Sequence, residues 1–255
     1  MIFESHAHYD HEQFHKDREA VFKELINNNI QYIVNIGSDM ESSRKTIELA
    51  KKYAYIYAAV GVHPHEVTDM KEEDLEYLLL YAAYDKVVAI GEIGLDYHYD
   101  YSPRSIQRLW FREQLKIAKD LELPVIVHSR EATKDTFDII MEADLGERKG
   151  VIHCYSGSAE VALDYVKQGF YIGVGGVITF KNARKLVETV KAIPLDKILI
   201  ETDAPYLSPM PHRGERNDSR YLPLVIKEIA KIKGLTEEEV EEATFRNGIK
   251  FFFNE

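Results

Sequence analysis

Cysteine is almost missing from this chain: Cys154 is the one thiol in 255 residues. No internal disulfide can form, and neither a cysteine-based zinc finger nor an iron–sulfur cluster can be built. That usage suits a reducing compartment, and the N-terminus, MIFESHAHYD, has neither the basic start nor the apolar run of a signal peptide. A cytoplasmic protein is expected. Long apolar runs are lacking as well. The longest, residues 53–62 (YAYIYAAVGV), is about half the roughly 20 residues that span a bilayer, so no membrane helix is expected. With 14 glycines, 8 prolines and no low-complexity stretch, no linker is visible, and a single domain over residues 1–255 is the expectation. Positive charge is the last shortage. Against 43 acidic residues stand 32 basic ones, a net charge of −11 with no Lys/Arg-rich run. Such a surface repels polyanions at long range and argues against a sequence-reading DNA-binding module. Nucleic acid remains open as a substrate, because divalent ions can supply positive charge locally.

What the chain has is 45% hydrophobic residues and enough length to bury roughly 70–75% of its unfolded surface in one core. Short apolar, β-branched runs alternate with amphipathic stretches. Eight runs stand out: residues 2–8 (IFESHAH), 32–37 (YIVNIG), 56–63 (IYAAVGVH), 87–93 (VVAIGEI), 124–129 (PVIVHS), 150–155 (GVIHCY), 171–177 (YIGVGGV) and 197–203 (KILIETD). Helical patterns lie between them at 17–29, 40–53, 72–84, 103–121, 159–168 and 183–193, and two more follow at 219–233 and 237–252, the last behind a Thr236/Glu239 capping box. Near-continuous apolar strands alternating with helices imply a parallel sheet covered on both faces. Eight such units in about 250 residues match a TIM (β/α)8 barrel, here with an extra C-terminal helix. No G-x-G-x-x-G or G-x-x-x-x-G-K-[ST] follows any run, so nucleotide binding of those kinds is not indicated.

Barrel enzymes carry their chemistry where strands end. Here the strand ends hold His6 and His8, His63 and His65, Glu92, His128, His153 and Asp203. Alternation along a strand puts His6 and His8 on one face, the spacing a two-histidine chelate needs. So many imidazoles and carboxylates are costly to bury side by side unless they share a metal. Histidine and carboxylate without thiolate suit zinc, manganese, iron, cobalt or nickel, and magnesium if it keeps waters. The number of donors exceeds what one catalytic zinc uses, so two ions fit more easily than one, and Glu92, central among the strands, could bridge them. Glu4 shares the face of His6 and His8, which makes it a candidate acid for orienting an imidazole. Glu201 shares the parity of Asp203 and should point inward to a basic partner. Cys154, alternating away from His153, should face the helices and has no assigned chemistry.

The blocks SHAH at 5–8, GVHPH at 61–65, GEIGLDY at 91–97, HSR at 128–130, HCYSG at 153–157, GGVITFKNA at 175–183, ETDAPYLSP at 201–209 and HRGERN at 212–217 together resemble the TatD family of metal-dependent hydrolases, in order and over the whole chain. The resemblance implies an amidohydrolase-type barrel with two divalent ions (Mg2+, Mn2+ or Zn2+) and deoxyribonuclease activity that includes 3′ to 5′ exonuclease action. It makes His6, His8 and Asp203 ligands of one ion, His128 and His153 ligands of the other, and Glu92 the bridge. It puts His63 and His65 near substrate and water, or alternatively in the turn around Pro64. Relatives often carry aspartate where this chain has Glu4, and proline within the segment read here as Asn217-Asp218-Ser219-Arg220-Tyr221, a change expected to loosen that loop.

On this reading Asp203 accepts a proton from the attacking water. Arg130, Tyr155, Ser156, Gly157 and Arg213 are candidate holders of phosphate oxygens. Tyr97, Tyr99 and Tyr101 form a loop on which a base stacks or which simply packs, while Trp110, Phe111 and Leu115 belong to the core. DNA or another phosphodiester is the expected substrate, with no membrane or obligate protein partner and a monomeric state. Three alternatives stay open: an ester or amide hydrolase, such as an aminoacyl-tRNA deacylase, on the same metals; a phosphotriesterase-like or small cyclic substrate; and a non-catalytic metal-binding barrel.

Overall fold

The computed structural model describes residues 1–147 and 149–254. Among them the strands are β1 (Ile2–Ala7), β2 (Ile30–Ile36), β3 (Ile56–Val60), β4 (Val87–Asp96), β5 (Val125–Arg130), β6 (Gly150–Ile152), β7 (Tyr171–Val174) and β8 (Ile198–Ile200). They form one sheet in chain order, and each is followed by a helix: α1 (Arg18–Asn27), α2 (Met40–Lys52), α3 (Glu72–Ala82), α4 (Arg104–Asp120), α5 (Thr133–Ala143), α6 (Ala159–Lys167), α7 (Arg184–Ala192) and α8 (Leu222–Lys233), with α9 (Glu237–Phe253) added at the end. The (β/α)8 topology and the extra C-terminal helix are as expected.

The chain comprises two compact units, Met1–Asn35 with Cys154–Glu255, and Ile36–His153. In the first, β1 pairs in parallel with β2 up to Ala7 opposite Asn35, β7 pairs with β8, and a bridge joins Ala7 to Ala204. In the second, β4 pairs with β3 and with β5, setting Gly94 beside His128 and Asp96 beside Arg130.

Local chemistry explains the element ends. Asp39 caps α2 by accepting from the Ser42 amide at 2.6 Å, and Thr236 with Glu239 forms the anticipated box at α9. α8 starts with a proline in its first turn and stops at Gly234 in the left-handed region, φ 69°. Several stretches differ from the expectation. β4 runs to Asp96 rather than 93, while β6 and β8 stop at Ile152 and Ile200, short of the 155 and 203 that apolar patterning suggested. Residues 176–179 form a 3-10 turn instead of prolonging β7. Helix α5, absent from the sequence-derived set, occupies Thr133–Ala143 and buries Thr136, Ile139 and Ile140.

In the first unit α9 lies on β1 through aromatic packing. Phe3 stacks on Phe252 at 5.4 Å with rings 3° apart, and Tyr32, Phe253 and Phe245 surround it at 5.7 to 6.5 Å. Gly248 makes this approach possible, since a Cβ there would stand 2.5 Å from the Phe3 ring. The ring is wedged on every side and cannot swing away. Gly248→Ala should therefore lose about 1–2 kcal/mol, overpacking outweighing the gain in helix propensity. Thermal unfolding followed by circular dichroism checks this, at about 2–4 °C per kcal/mol; an unchanged or raised Tm would contradict it.

Candidate metal centre

In the first unit the end of β1 and the segment after β8 are stitched together by backbone bonds, His8 N to Ala204 O at 2.8 Å and Asp203 N to His6 O at 2.9 Å. These bonds place three donors side by side. The Nε2 atoms of His6 and His8 are 3.2 Å apart, and Asp203 Oδ1 lies 3.8 and 3.5 Å from them. Two atoms bound tetrahedrally to one ion at ~2.1 Å are ~3.4 Å apart, so this triad has the edge lengths of a coordination polyhedron. The donors fit a first-row divalent ion. Asp203 holds a left-handed φ of 59°, a conformation costing an aspartate about 1–2 kcal/mol, which the two flanking backbone bonds offset.

Glu4 does not orient an imidazole. Its carboxylate, fully buried, accepts from the backbone amides of His6 and Thr202 at 3.1 and 2.9 Å. It also accepts from the hydroxyls of Thr202 and Ser219 at 2.7 and 2.8 Å. A side chain on β1 itself, two residues before His6, thus fixes backbone on both flanks of the site. Burial pushes the Glu4 carboxyl up to about 7, against the pull of the hydrogen bonds from Thr202, Ser219 and His6. The segment after β8, expected to be loosened by its missing proline, is tightly held. Asn217 donates to the carbonyls of Thr202 and Tyr206 at 2.8 and 2.7 Å, Ser219 N donates to Tyr9 Oη at 2.9 Å, and Asp218 binds Arg220 through both oxygens.

Glu201 is buried as anticipated, and the Cys154 backbone amide donates to its Oε1 at 2.6 Å. It also comes within 4.8 Å of a His6 ring nitrogen. Gly173 makes room for it, because a Cβ there would meet Glu201 Oε2 at 2.6 Å. Cys154 departs from its expected place. β6 ends at Ile152, so alternation no longer applies. The residue takes φ 43°, and its Sγ lies within 4.8 Å of the Asp203 carboxylate.

The second unit carries another cluster. Ligand atoms of His63, Glu92 and His128 lie within 4.8 Å of one another. Glu92 Oε1 is 2.9 Å from His128 Nδ1 and 3.7 Å from Nε2 of both His63 and His153. Again the spacings suit a shared ion, and His63 stands among the possible ligands as well as near them. Asp96 is the residue that sequence reasoning missed. Buried at the end of β4, its Oδ2 takes His128 Nε2 at 2.9 Å and His65 Nε2 at 3.0 Å. Burial acts to raise the Asp96 carboxyl, yet hydrogen bonds from His128, the Tyr99 amide and His65, with the charge on His128, hold it well below the usual range. For His128 burial works downward, and the bonds to Asp96 and Glu92 prevail and raise it. His128 thus lies between two carboxylates, with Asp96 at Nε2 and Glu92 at Nδ1, each close enough to take a ring proton. The signal was present in GEIGLDY as a carboxylate of the same parity as Glu92 and Gly94, hidden by the shorter strand assignment.

The proposed phosphate contacts divide. Arg130 lies over the Tyr99 ring at 4.7 Å and Arg213 over Phe180 at 4.7 Å. Tyr155 is buried, its hydroxyl donating to Ser158 O at 2.6 Å, and a Cβ on Gly157 would strike that ring. Tyr155 therefore shapes the turn that carries exposed Ser156. Trp110, Phe111 and Leu115 are core, as expected.

The profile of TatD-related DNases matches residues 3–253. The chain belongs to the TatD family. Among TatD relatives it is 44% identical over 252 residues to an uncharacterized metal-dependent hydrolase, YabD, of Bacillus subtilis, covering 99% of both chains. It is 34% identical to the 3′-5′ ssDNA/RNA exonuclease TatD of Citrobacter rodentium over 94% of this chain and 93% of that one. The crystal structure of the TatD homologue YjjV from Escherichia coli matches with a TM-score of 0.94 at 33% identity, over 99% of this chain and 98% of the other. These likenesses agree with the sequence resemblance and with the barrel topology.

The raised Glu4 carboxyl has a consequence for stability. In the unfolded chain it titrates near its ordinary 4.5, in the folded one near 7, so its stabilising contribution is complete below about 4.5 and is lost as pH rises through about 7, by roughly 3 kcal/mol. Urea unfolding of metal-stripped protein across pH 4.5 to 7.5 should show this decline, and Glu4→Gln should flatten it. Identical pH slopes for parent and variant would contradict the assignment.

Proposed function

We propose that this chain is a divalent-metal-dependent phosphodiesterase that removes nucleotides from the 3′ end of single-stranded DNA. The observation that carries the reading is the pair of histidine–carboxylate clusters with ligand spacing at the strand ends, His6/His8/Asp203 and His63/Glu92/His128. Membership of a family described as related to a DNase, and a full-length relative named a 3′-5′ exonuclease, support the choice of phosphodiester over other bonds.

On this proposal His6, His8 and Asp203 would hold one ion and Glu92, His128 and His153 the other, the resemblance making Glu92 the group common to both. Two such ions neutralise phosphate charge and lower the pKa of water toward neutrality. Asp203, a carboxylate among the ligands, accepts the proton of the attacking water. The negative charge that builds on the phosphate in an in-line displacement is met by the guanidiniums of Arg130 and Arg213. His63 and His65 stay beside the substrate, His65 held by Asp96 and His63 facing Glu92.

The test is hydrolysis of single-stranded DNA by metal-stripped protein re-supplied with Mg2+, Mn2+ or Zn2+. Stepwise release from the 3′ end, dependent on metal and reduced about 10²–10⁴-fold by Asp203→Ala, is the expected result. Bound metal with intact DNA would overturn the nuclease reading in favour of an ester or amide hydrolase, with aminoacyl-tRNA as the next substrate. Metal content separates the ligand roles. Glu92→Gln should lower occupancy of both ions together and His128→Ala mainly one, and equal loss at both sites from His128→Ala would contradict Glu92 as the shared group.

A further inference from the structure

The loop after β4 sorts its three tyrosines. Tyr97 is used for packing: its hydroxyl donates to Asp135 at 2.6 Å and the Arg104 guanidinium covers its ring at 4.4 Å. Tyr99 and Tyr101 turn outward, 46% and 66% exposed, and stack on one another with centroids 5.2 Å apart and rings 17° from parallel. Two large aromatic rings held out in water on a chain of high net negative charge need a reason.

Three features give this pair the character of a built surface. It is rigid, because Asp96 Oδ1 accepts from the amides of His98 and Tyr99 at 3.0 and 2.9 Å. The far end of the loop is pinned by Ser102, whose hydroxyl donates to His65 O at 3.0 Å and whose carbonyl accepts from Gln107 at 2.8 Å. It is also adjacent to the metal cluster. The His65 ring meets Tyr101 edge-on at 4.8 Å and Tyr99 at 5.5 Å, and His63 meets His65 at 4.4 Å. Finally, the Arg130 guanidinium lies 4.7 Å over Tyr99, so a cation able to hold a phosphate stands against the same rings.

We infer that Tyr99 and Tyr101 form a stacking platform for an unpaired nucleobase, the base of a nucleotide directly flanking the scissile phosphate. This rests on the phosphodiesterase reading and deepens it. A platform of this kind grips any base by its face and reads no edge, so it tolerates sequence. It cannot take a base that is paired and stacked within a duplex, which makes the substrate class single-stranded nucleic acid or a frayed end. The Oδ2 of Asp96 holds His65 and His128 while its Oδ1 holds the platform loop, so one carboxylate sets the distance between the gripped base and the metal ligands.

The experiment uses metal-loaded full-length protein and single-stranded oligonucleotides that carry an abasic residue at the last or the penultimate 3′ position, compared with the base-bearing parent oligonucleotide. The parent protein should discriminate against one of the two abasic substrates by roughly 5- to 150-fold in kcat/KM, the size of one base–aromatic stack. Tyr101→Leu should reduce that discrimination to about 2-fold or less, and Tyr101→Phe and Tyr101→Trp should preserve it, since they keep the π face. Both rings are exposed, so these variants should fold as the parent does, and circular dichroism melts check it. Discrimination that survives in the Tyr99→Leu/Tyr101→Leu double variant, or its absence from the parent protein, would overturn the platform while leaving the phosphodiesterase reading intact. Failure of the parent protein to cleave any of the three oligonucleotides would instead remove the reading on which the platform rests. A change of oligomeric state in the double variant, with discrimination unaltered, would assign the pair to a protein interface and overturn the platform.

Discussion

The carboxylate of Asp96, buried at the end of β4, accepts hydrogen bonds on both oxygens, and the chemistry of its unit depends on that. Through Oδ2 it meets Nε2 of both His128 and His65, and through Oδ1 it accepts from two amides of the following loop. A buried carboxylate without partners would be costly, so the demand for donors is what forces these groups to converge. Their convergence fixes the ring planes of the histidines. Remove the acceptor, and neither the imidazoles nor the tyrosine pair has a reason to keep its orientation.

Glu4 has the corresponding place in the other unit, with a different emphasis. It holds backbone rather than imidazole: amides of His6 and Thr202, hydroxyls of Thr202 and Ser219. Thr202 directly precedes Asp203 and His6 stands two residues before His8, so the acid acts on the candidate metal donors through the chain that carries them. Glutamate has the reach for this where a shorter acid would need the strand segments closer. The left-handed residues of the same region, Cys154 and Asp203, sit where strands have already ended. Strain of this kind persists only where surrounding bonds over-determine it, and here those bonds are Cys154 N to Glu201 and Asp203 N to His6.

Much of this was legible from residue order. Alternating β-branched runs and amphipathic stretches announced the parallel units, and chemistry-bearing side chains at their ends announced the clusters. The misreadings at β6, β8 and Cys154 share one cause. Apolar patterning continues past the last ladder hydrogen bond, so β6 and β8 looked longer than they are, and the parity assigned to Cys154 followed from a strand that does not reach it. The opposite error occurred at β4, where Gly94 and the acidic Asp96 looked like loop residues although ladder pairing carries the strand through them. Helix α5 escaped notice because its apolar face is short, with Thr136 filling a core position that patterning counts as polar.

The sequence by itself determined the class of protein and the inventory of donors. It needs only the periods of helix and strand to order the units, and only the chemistry of histidine and carboxylate to mark which residues can hold a metal. Which donor meets which acceptor was decided by tertiary structure alone. Glu4 and Ser219, or Asp96 and His128, are far apart along the chain, and nothing local makes one acid grip backbone and the other imidazole. Those pairings follow from where the strand ends bring buried charge together and from the requirement that each such charge find its hydrogen bonds there.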